Sequence, residues 1–362
     1  MERFRLQVAP SALEDLRERL ARTRFPDEPP LEPWSTGTSL GYLKDLVDYW
    51  RSGFDWRAQE AKLNRFAQYK AAVGGVELHF IHEPGRAPNP TPLLLMHGWP
   101  GSVWEFHRLI PLLTERFTVI APSLPGFTLS FTPGQARFGT IEMAQVFAEL
   151  MARLGYARFG AQGGDWGASV ATRLGYAFPE RLIGIHLNLL SIRRDPDIAA
   201  ASPEEAAYLA QLRHFMKEEA GYQAIQGTKP QTLAYGLSDS PAGLAAWIAE
   251  KFRSWSDEPI ERDDLLANVS LYWFTGAIGS SFWPYYARMH QGWPIPEGGT
   301  IEVPLGYAEF PKEILRPPRS LAERTYTRIE RWASMKKGGH FAALEQPHAL
   351  AGEIEAFFRG RG

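Results

Sequence analysis

Residues 161–168 read Ala-Gln-Gly-Gly-Asp-Trp-Gly-Ala and join an apolar, strand-like run to a helical one. Glycines on both sides of Asp165 permit a sharp turn that lifts one side chain above a sheet, which is the setting of a nucleophile elbow. The lifted residue is an aspartate, where a serine hydrolase would have serine. An aspartate in this place could instead cap the N-terminus of the following helix. The stretch therefore predicts a strand, a tight turn carrying Asp165, and a helix.

Other strand-like runs lie on both sides of this turn. In chain order, the runs cover residues 76–81, 93–96, 117–121, 159–162, 182–190, 301–303 and 332–336. Helical patterns lie between the earlier ones. Strands that alternate with helices indicate a mainly parallel sheet that is covered by helices. The sequence therefore predicts an α/β fold with Asp165 at a strand end.

Two helical regions flank and interrupt this alternation. The predicted divisions are an N-terminal arm with the first core strand at residues 1–90, a first core part at 91–195, a helical cap at 196–290 and a second core part at 291–362. In the arm, Ser11 and Glu14 have the spacing of a capping box at a helix start. Residues 42–65 of the arm carry apolar side chains at helical spacing.

The composition limits the classes of partner and chemistry. The chain of 362 residues has 39 Lys and Arg against 41 Asp and Glu, a formal net charge of −2, which disfavours nucleic acid as a partner. It contains no cysteine, so disulfides, thiol catalysis and cysteine-ligated metals are excluded. The sequence shows neither a secretory signal nor a run long enough to span a membrane. A soluble, cytoplasmic protein without a membrane anchor is expected, and a homodimer is left open.

A second candidate residue, His340, lies in Lys-Gly-Gly-His-Phe-Ala-Ala, residues 337–343, between a strand-like segment and a helical one. A histidine in a tight glycine loop at a sheet edge can act as a general base. Its place after Asp165 matches the chain order of α/β-hydrolases. A formal Gly-x-Ser-x-Gly occurs at residues 37–41, but prolines rather than a strand precede it. Ser39 is therefore interpreted as a loop or cap residue.

A glycine-rich loop follows the strand-like run at residues 93–96 and contains His97, Gly98, Trp99 and Pro100. Such a loop can aim the backbone N–H of Trp99 at the elbow, and the N–H of Trp166 can supply a second donor. The two groups are predicted to form an oxyanion hole. His97 is a candidate base, but its position beside the sheet favours a hydrogen bond that stabilises the loop.

Three motifs together resemble the epoxide hydrolases of the α/β-hydrolase superfamily, specifically the microsomal type. They are His-Gly-Trp-Pro at residues 97–100, Gly-Gly-Asp-Trp-Gly at 163–167 and Gly-Gly-His-Phe-Ala-Ala at 338–343. The N-terminal arm is similar to the extra N-terminal region of that type, so the resemblance covers essentially the whole chain. No stretch of the sequence resembles the membrane-anchoring N-terminal helix of the animal microsomal enzyme, so a protein without that anchor is expected. The resemblance implies an α/β-hydrolase fold with a helical cap, and it implies hydrolysis of an epoxide without a metal or organic cofactor.

The resemblance also implies roles for individual residues. Asp165 would be the nucleophile and His340 the base. Two cap tyrosines, Tyr222 in residues 221–230 and Tyr285 in residues 280–286, would donate hydrogen bonds to the epoxide oxygen, with Tyr286 as the alternative to Tyr285. The acid that supports His340 would be Glu313, 27 residues before it in the chain, with Glu309 as the second choice.

The residue types suit this reaction. A serine that opened an epoxide would become an ether, which an activated water cannot readily cleave, whereas an aspartate becomes an ester that water can hydrolyse. A carboxylate is also already ionised at neutral pH, and a phenol can donate to the epoxide oxygen without attacking it. The expected partner is a small apolar epoxide, such as an aryl or terpene oxide.

Two alternatives stay open from the sequence. A haloalkane dehalogenase also uses an aspartyl ester and a histidine, and the side chain of Trp166 could serve a halide. Paired tyrosines favour an epoxide oxygen over a halide. A ligand carrier without activity could be built on the same scaffold, because fold does not guarantee function.

Overall fold

The computed structural model describes residues 1–361. Its strands are β1 (Glu2–Phe4), β2 (Gln68–Val73), β3 (Val76–Glu83), β4 (Thr91–Met96), β5 (Phe117–Pro122), β6 (Phe159–Gly163), β7 (Leu182–Leu187), β8 (Leu305–Glu309) and β9 (Ile329–Ser334). Within the described residues they form one nine-stranded sheet in the order β1-β2-β3-β5-β4-β6-β7-β8-β9. The pairs β1-β2, β2-β3 and β3-β5 are antiparallel, and all other neighbouring strands pair in parallel. The predicted, mainly parallel α/β fold is confirmed.

Helices connect and cover the strands. They are α1 (Pro10–Ala21), α2 (Leu40–Ser52), α3 (Trp56–Leu63), α4 (Ile110–Leu113), α5 (Thr140–Arg153), α6 (Asp165–Ala177), α7 (Pro203–His214), α8 (Gly221–Thr228), α9 (Pro230–Asp239), α10 (Pro241–Trp255), α11 (Arg262–Thr275), α12 (Ile278–Ser281), α13 (Trp283–Gln291), α14 (Arg319–Ala322), α15 (Ala342–Glu345) and α16 (Pro347–Phe358). Short 3₁₀ turns occur at Val103–Phe106, Thr128–Ser130 and Pro179–Arg181, and a π-helical turn occurs at Phe215–Glu219. Across residues 1–361, no helix combines the length and the apolar character needed to cross a bilayer.

The alternation of side chains along β4 shows why the sheet is covered on two faces. Leu94 and Met96 belong to one hydrophobic cluster, whereas Leu93 and Leu95 belong to another. Successive side chains of a strand point to opposite faces, so each cluster covers one face. All four side chains are essentially inaccessible to solvent. Full burial on both sides explains why this strand is a continuous apolar run.

Two strands near the C-terminal half differ from the prediction. The prediction of a strand at residues 301–303 is wrong. Ile301 makes only an isolated bridge to Tyr326, and β8 begins at residue 305. Pro304 lies between them and lacks the N–H that would continue the ladder. β7 ends at Leu187 rather than at residue 190, because its neighbour β6 ends at Gly163 and turns into α6.

The N-terminal arm also differs in detail. The prediction of a capping box at Ser11 and Glu14 is wrong, because α1 begins at Pro10, after Ala9, and no side chain caps its N-terminus. The helix expected over residues 42–65 is two helices, α2 and α3, and Asp55 caps the second by accepting from the N–H of Ala58 at 3.1 Å. Strands β1 and β2 were not predicted. Ser39 immediately precedes α2, as expected of a cap residue, but its side chain makes no capping hydrogen bond.

The arm packs against the helices between Pro203 and Gln291. Trp50 in α2 donates from its indole nitrogen to the hydroxyl of Ser270 in α11 at 3.1 Å. The Thr38 hydroxyl donates to the carbonyl of Ala246 in α10 at 2.7 Å. Leu16 and Leu20 of α1 lie in the same hydrophobic cluster as α10. The first part of the chain therefore supports helices that lie more than 200 residues later.

Candidate active site

The candidate site lies where several parallel strands end. The loop with Trp99 follows β4, Asp165 follows β6, Glu313 follows β8, and His340 follows β9. Parallel strands bring their carboxyl ends to one edge of the sheet, which is the usual place for a ligand site in open α/β sheets. Residues that are up to 241 positions apart, from Trp99 to His340, therefore meet at one edge.

Asp165 is the first residue of α6, and its backbone is in the left-handed region with φ of +46°. Such a conformation costs a residue with a Cβ on the order of 1–3 kcal/mol and is typical of functional turns. The cap position belongs to Gly164, so the alternative in which Asp165 caps the helix is wrong. The Asp165 side chain remains 18% exposed. The turn thus presents the carboxylate at the sheet edge, as the nucleophile-elbow interpretation requires.

Two glycines make room for this carboxylate. A Cβ on Gly98 would overlap the side chain of Asp165, and a Cβ on Gly167 would overlap the backbone carbonyl of Met96 at the end of β4. Any larger residue at either position would separate the loop, the elbow and the helix. The glycines around the elbow therefore set the distance between Asp165 and its donors.

The loop after β4 supplies one of those donors. The Trp99 N–H donates to Oδ1 of Asp165 at 2.8 Å. The N–H of Trp166 belongs to the first turn of α6, where backbone donors have no acceptor within the helix. His97 accepts from the Leu124 N–H at 3.1 Å through Nε2, and burial lowers its pKa to about 4. His97 is therefore a neutral residue that holds the loop, as predicted.

His340 lies between two carboxylates. Its Nδ1 is 2.6 Å from Oε1 of Glu313, and its Nε2 is 3.5 Å from Oδ2 of Asp165. Burial alone would lower the pKa of His340, but the negative charges and hydrogen bonds of Glu313 and Asp165 raise that pKa well above its usual value. Glu309 lies at the end of β8 and accepts from Ser334 at 3.1 Å. The structure therefore places Glu313, and not Glu309, against the histidine.

Backbone contacts fix the loop that carries His340. The His340 N–H donates to the carbonyl of Trp255 at 2.9 Å, and the Gly339 N–H donates to Oε2 of Glu345 at 3.1 Å. Trp255 is the last residue of α10, so the histidine loop is tied to the helices above the sheet. This arrangement leaves the imidazole nitrogens free to contact the two carboxylates.

Tyr222 and Tyr285 lie in α8 and α13 and pack against Trp99 and Trp166 of the donor loop and the elbow. Both are buried, their ring centroids are 5.7 Å apart, and burial raises the pKa of each phenol above its usual value. The Tyr222 ring stacks on Trp99 at 5.3 Å, and the Tyr285 ring meets the edge of Trp166 at 4.7 Å. Both phenols therefore remain neutral donors at physiological pH.

The two tyrosines and Asp165 line one cavity of about 190 Å³. Trp166 and Leu189 add apolar wall to it. Tyr286 is absent from this wall and instead stacks on His290 at 3.9 Å. The structure therefore brings Tyr285, rather than its neighbour Tyr286, to the candidate site.

Glu105 is a site residue that the sequence interpretation missed. It lies in the 3₁₀ turn Val103–Phe106 and lines a second cavity of about 20 Å³ together with Asp165 and His340. Burial raises the pKa of Glu105 to about 8, with His340 acting in the opposite direction and Asp165 in the same one. A Cβ on Gly101 would overlap the Glu105 carboxyl, so the glycine in the preceding loop is the signal that could have drawn attention to it.

The candidate site combines several kinds of polar group. Within residues 1–361, no set of three or more His, Asp and Glu side chains is arranged to hold a metal ion. Its chemical groups are a carboxylate held by a backbone donor, a histidine between two carboxylates, two neutral phenols and a carboxyl beside a small cavity. Together they can supply a nucleophile, a base and donors for a developing oxyanion.

Known proteins that are similar to this chain are epoxide hydrolases and other proteins of the alpha/beta hydrolase fold. Residues 1–106 match the family model described as epoxide hydrolase N terminus, and residues 91–220 match the model of the alpha/beta hydrolase fold. Epoxide hydrolase 1 of Sus scrofa is 35% identical, over 98% of this chain and 87% of its own length.

Two solved structures resemble the whole fold. The epoxide hydrolase of Aspergillus niger has a TM-score of 0.89 and 32% identity, covering 100% of this chain and 96% of its own. The juvenile hormone epoxide hydrolase of the silkworm Bombyx mori also has a TM-score of 0.89, with 30% identity, and covers 100% of this chain and 95% of its own. The likeness therefore includes both the N-terminal arm and the helices above the sheet.

Proposed function

The chain belongs to the epoxide hydrolase family, and from this we propose how its own residues add water to an epoxide to give a vicinal diol. The observation that supports the assignment of roles is the position of Asp165. Its carboxylate contacts the Trp99 N–H and His340 and lines the same cavity as Tyr222 and Tyr285. Family membership and the paired phenols both favour an epoxide over a halide and an enzyme over a silent carrier.

In the first step, an oxygen of Asp165 attacks a ring carbon of the epoxide. The new bond is an ester C–O bond, and the ring C–O bond breaks and leaves its electron pair on the epoxide oxygen. Tyr222 and Tyr285 donate hydrogen bonds to that oxygen, and one phenol proton neutralises it. Attack on the carbon and departure of the oxygen occur from opposite sides of that carbon, and the phenols line the same cavity as the carboxylate.

In the second step, water hydrolyses the ester. Formation of the ester removes the negative charge of Asp165, one of the charges that raise the pKa of His340, so this pKa falls and the imidazolium gives its proton to the phenolate left by the first step. The neutral imidazole then takes a proton from the attacking water. Glu313 supports the imidazolium through Nδ1. The N–H groups of Trp99 and Trp166 stabilise the tetrahedral oxyanion. As this intermediate collapses, the imidazolium protonates the leaving alkoxide, the diol leaves, and the new carboxyl group of Asp165 returns its proton to His340.

We assign the hydrolytic water to the small cavity beside Glu105. About 10–15 Å³ is enough for one water molecule, and the cavity of about 20 Å³ is bordered by Glu105, His340 and Asp165. A carboxyl group there offers a hydrogen bond to water opposite the imidazole. The small size of the cavity favours a single water next to the ester carbonyl.

The helices at residues 196–290 are assigned to a lid, and residues 1–90 to a support for it. The lid carries both tyrosines, and the arm contacts it through Trp50 and Thr38. The aromatic walls of the cavity favour a substrate with an apolar body.

A single turnover in ¹⁸O-labelled water tests the proposal. With enzyme in excess over styrene oxide, the diol receives its second oxygen from Asp165, so the label enters the carboxylate and the first diol is unlabelled. Peptide mass spectrometry locates the label at Asp165. Label in the first diol would show direct attack by water and would refute the ester route.

Replacement of Tyr222 or Tyr285 by phenylalanine is expected to slow ring opening by about 10²–10³-fold, the usual cost of removing one oxyanion donor. Ester hydrolysis should slow less, because the phenols act on the epoxide oxygen. Rapid-quench mass spectrometry of the adduct and the diol measures the two steps separately. Tyr286→Phe is the matched control, since Tyr286 stacks on His290 outside the cavity, and it should leave ring opening unchanged. An unaltered ring-opening rate in Tyr222→Phe or Tyr285→Phe removes that tyrosine from the proposed site.

Glu105→Leu is expected to slow ester hydrolysis by about tenfold to a hundredfold, because the water loses one hydrogen-bond partner. Glu105→Gln keeps a donor and an acceptor and should retain most of the rate. The same rapid-quench measurement follows both steps. A purely structural role predicts instead that ring opening and hydrolysis fall together in Glu105→Leu.

A further inference from the structure

Two arginines line the same cavity as the proposed nucleophile. Arg288 lies in α13, three residues after Tyr285, so the two side chains lie on one face of that helix. Arg194 lies in the segment between β7 and α7 and lines the same cavity. Neither is needed for the reaction described above, in which the two phenols already serve the epoxide oxygen.

Arg288 is held by aromatic rings. Its guanidinium carbon lies 3.8 Å from the centroid of Trp293 and 5.6 Å from that of Trp166. Stacking of this kind uses the face of a guanidinium and leaves its N–H groups available in the plane. The charged group is thereby kept beside the reacting centre.

Neither arginine is neutralised by the protein. Within residues 1–361, Arg288 and Arg194 make no hydrogen bond and no ion pair to another residue. Arg108, by contrast, pairs with Asp264 at 2.6 Å. The only carboxylate that lines the cavity with the two arginines is Asp165, which is bound to the Trp99 N–H.

This arrangement is costly without a counter-ion. Burial, and then the positive charge of Arg194, lower the pKa of Arg288 to about 9, although the charge of Asp165 acts in the opposite direction. Two cations close enough to affect each other, in a cavity of about 190 Å³, favour an anion between or beside them. The planar fork of a guanidinium matches a carboxylate in particular, with two parallel N–H donors.

We propose that Arg288 and Arg194 bind a carboxylate on the substrate, so that the preferred substrates are epoxides with an apolar body and a carboxylate end. The inference rests on the function proposed above and adds the substrate class to it. The epoxide lies between Asp165 and the tyrosines, and the carboxylate lies towards the arginines.

The test uses terminal epoxyalkanoates of increasing chain length and the methyl ester of each. We expect kcat/KM for the acid to exceed that for its ester by tenfold or more at the chain length that spans the two groups, because hydrogen bonds to a charged partner are lost in the ester. Arg288→Gln and Arg194→Gln should each reduce this acid-over-ester ratio by about tenfold. Arg193→Gln is the matched control, because Arg193 is exposed and does not line the cavity. It should leave the ratio unchanged.

The outcomes separate the two proposals. A wild-type ratio at or below one at every chain length overturns the carboxylate site, as does a ratio that neither variant alters. If kcat/KM falls equally for the acid and for its ester in both variants, the ratio is also unaltered. The arginines would then act on the reacting oxygen or stabilise the fold. Because the inference needs only a ratio, Arg194→Gln still tests it if Arg288→Gln fails to fold. Failure of the wild type to form diol from any epoxide would refute the proposed function instead.

Discussion

Diol formation is expected to fall by at least about 10⁴-fold in Asp165→Ala, because the variant lacks the atom that forms the ester. No other carboxylate lines the cavity of the two tyrosines. The remaining donors and base can bind an epoxide but cannot form the covalent intermediate. Steady-state assays over a panel of apolar epoxides measure the loss, and intact-protein mass spectrometry should detect no adduct.

Asp165→Gly provides the control for folding. At a φ of +46° glycine has no Cβ to place in a strained position, whereas alanine does. The glycine variant should therefore be about 1 kcal/mol more stable towards urea than the alanine variant, while both remain inactive. If Asp165→Gly turned over epoxide at a substantial rate, the assignment of Asp165 as nucleophile would have to be given up.

His340→Gln should have a different effect. Ring opening needs no base, so the adduct on Asp165 should form at a rate close to that of the wild type. Hydrolysis of the ester should slow by about 10²–10⁴-fold, the usual contribution of a positioned base. The mass of the protein should then increase by that of one substrate molecule and remain there. A second measurement with Asp165→Ala plus His340→Gln should show no adduct, which identifies Asp165 as its site.

The opposite result would be equally informative. If His340→Gln lost ring opening as completely as Asp165→Ala, the histidine would act in the first step, and the division of labour proposed here would be wrong. Glu309→Gln is the control variant for Glu313→Gln, because Glu309 accepts a hydrogen bond from Ser334 and does not contact His340. It should leave the hydrolysis rate unchanged, whereas Glu313→Gln should slow it.

Local sequence patterns correctly predicted those parts of the fold whose conformation is determined by a short stretch of neighbouring residues. The glycines around Asp165 predicted a turn because the close approach of strand, elbow and helix leaves no room for a Cβ at Gly163 or Gly167. The apolar run at residues 93–96 predicted β4 because that strand is buried on both faces. The residue-by-residue resemblance selected Tyr222 and Tyr285, which the structure places in one cavity.

Other features depend on tertiary contacts that no local pattern records. β2 carries a mixed sequence, and it is a strand because β1 and β3 pair with it on both sides. Gly101 is a weak local signal for Glu105, but only the fold places that carboxyl group beside His340 and Asp165. Arg194 and Arg288 are almost 100 residues apart in the chain. Their shared position in one cavity follows from the packing of α13 against α8 and against Trp166 of α6.

The hydrogen bonds from Trp50 and Thr38 to Ser270 and Ala246 bear on how molecules reach the interior. These bonds attach the lid helices to the N-terminal arm, which disfavours an opening motion in which all of those helices move together away from the sheet.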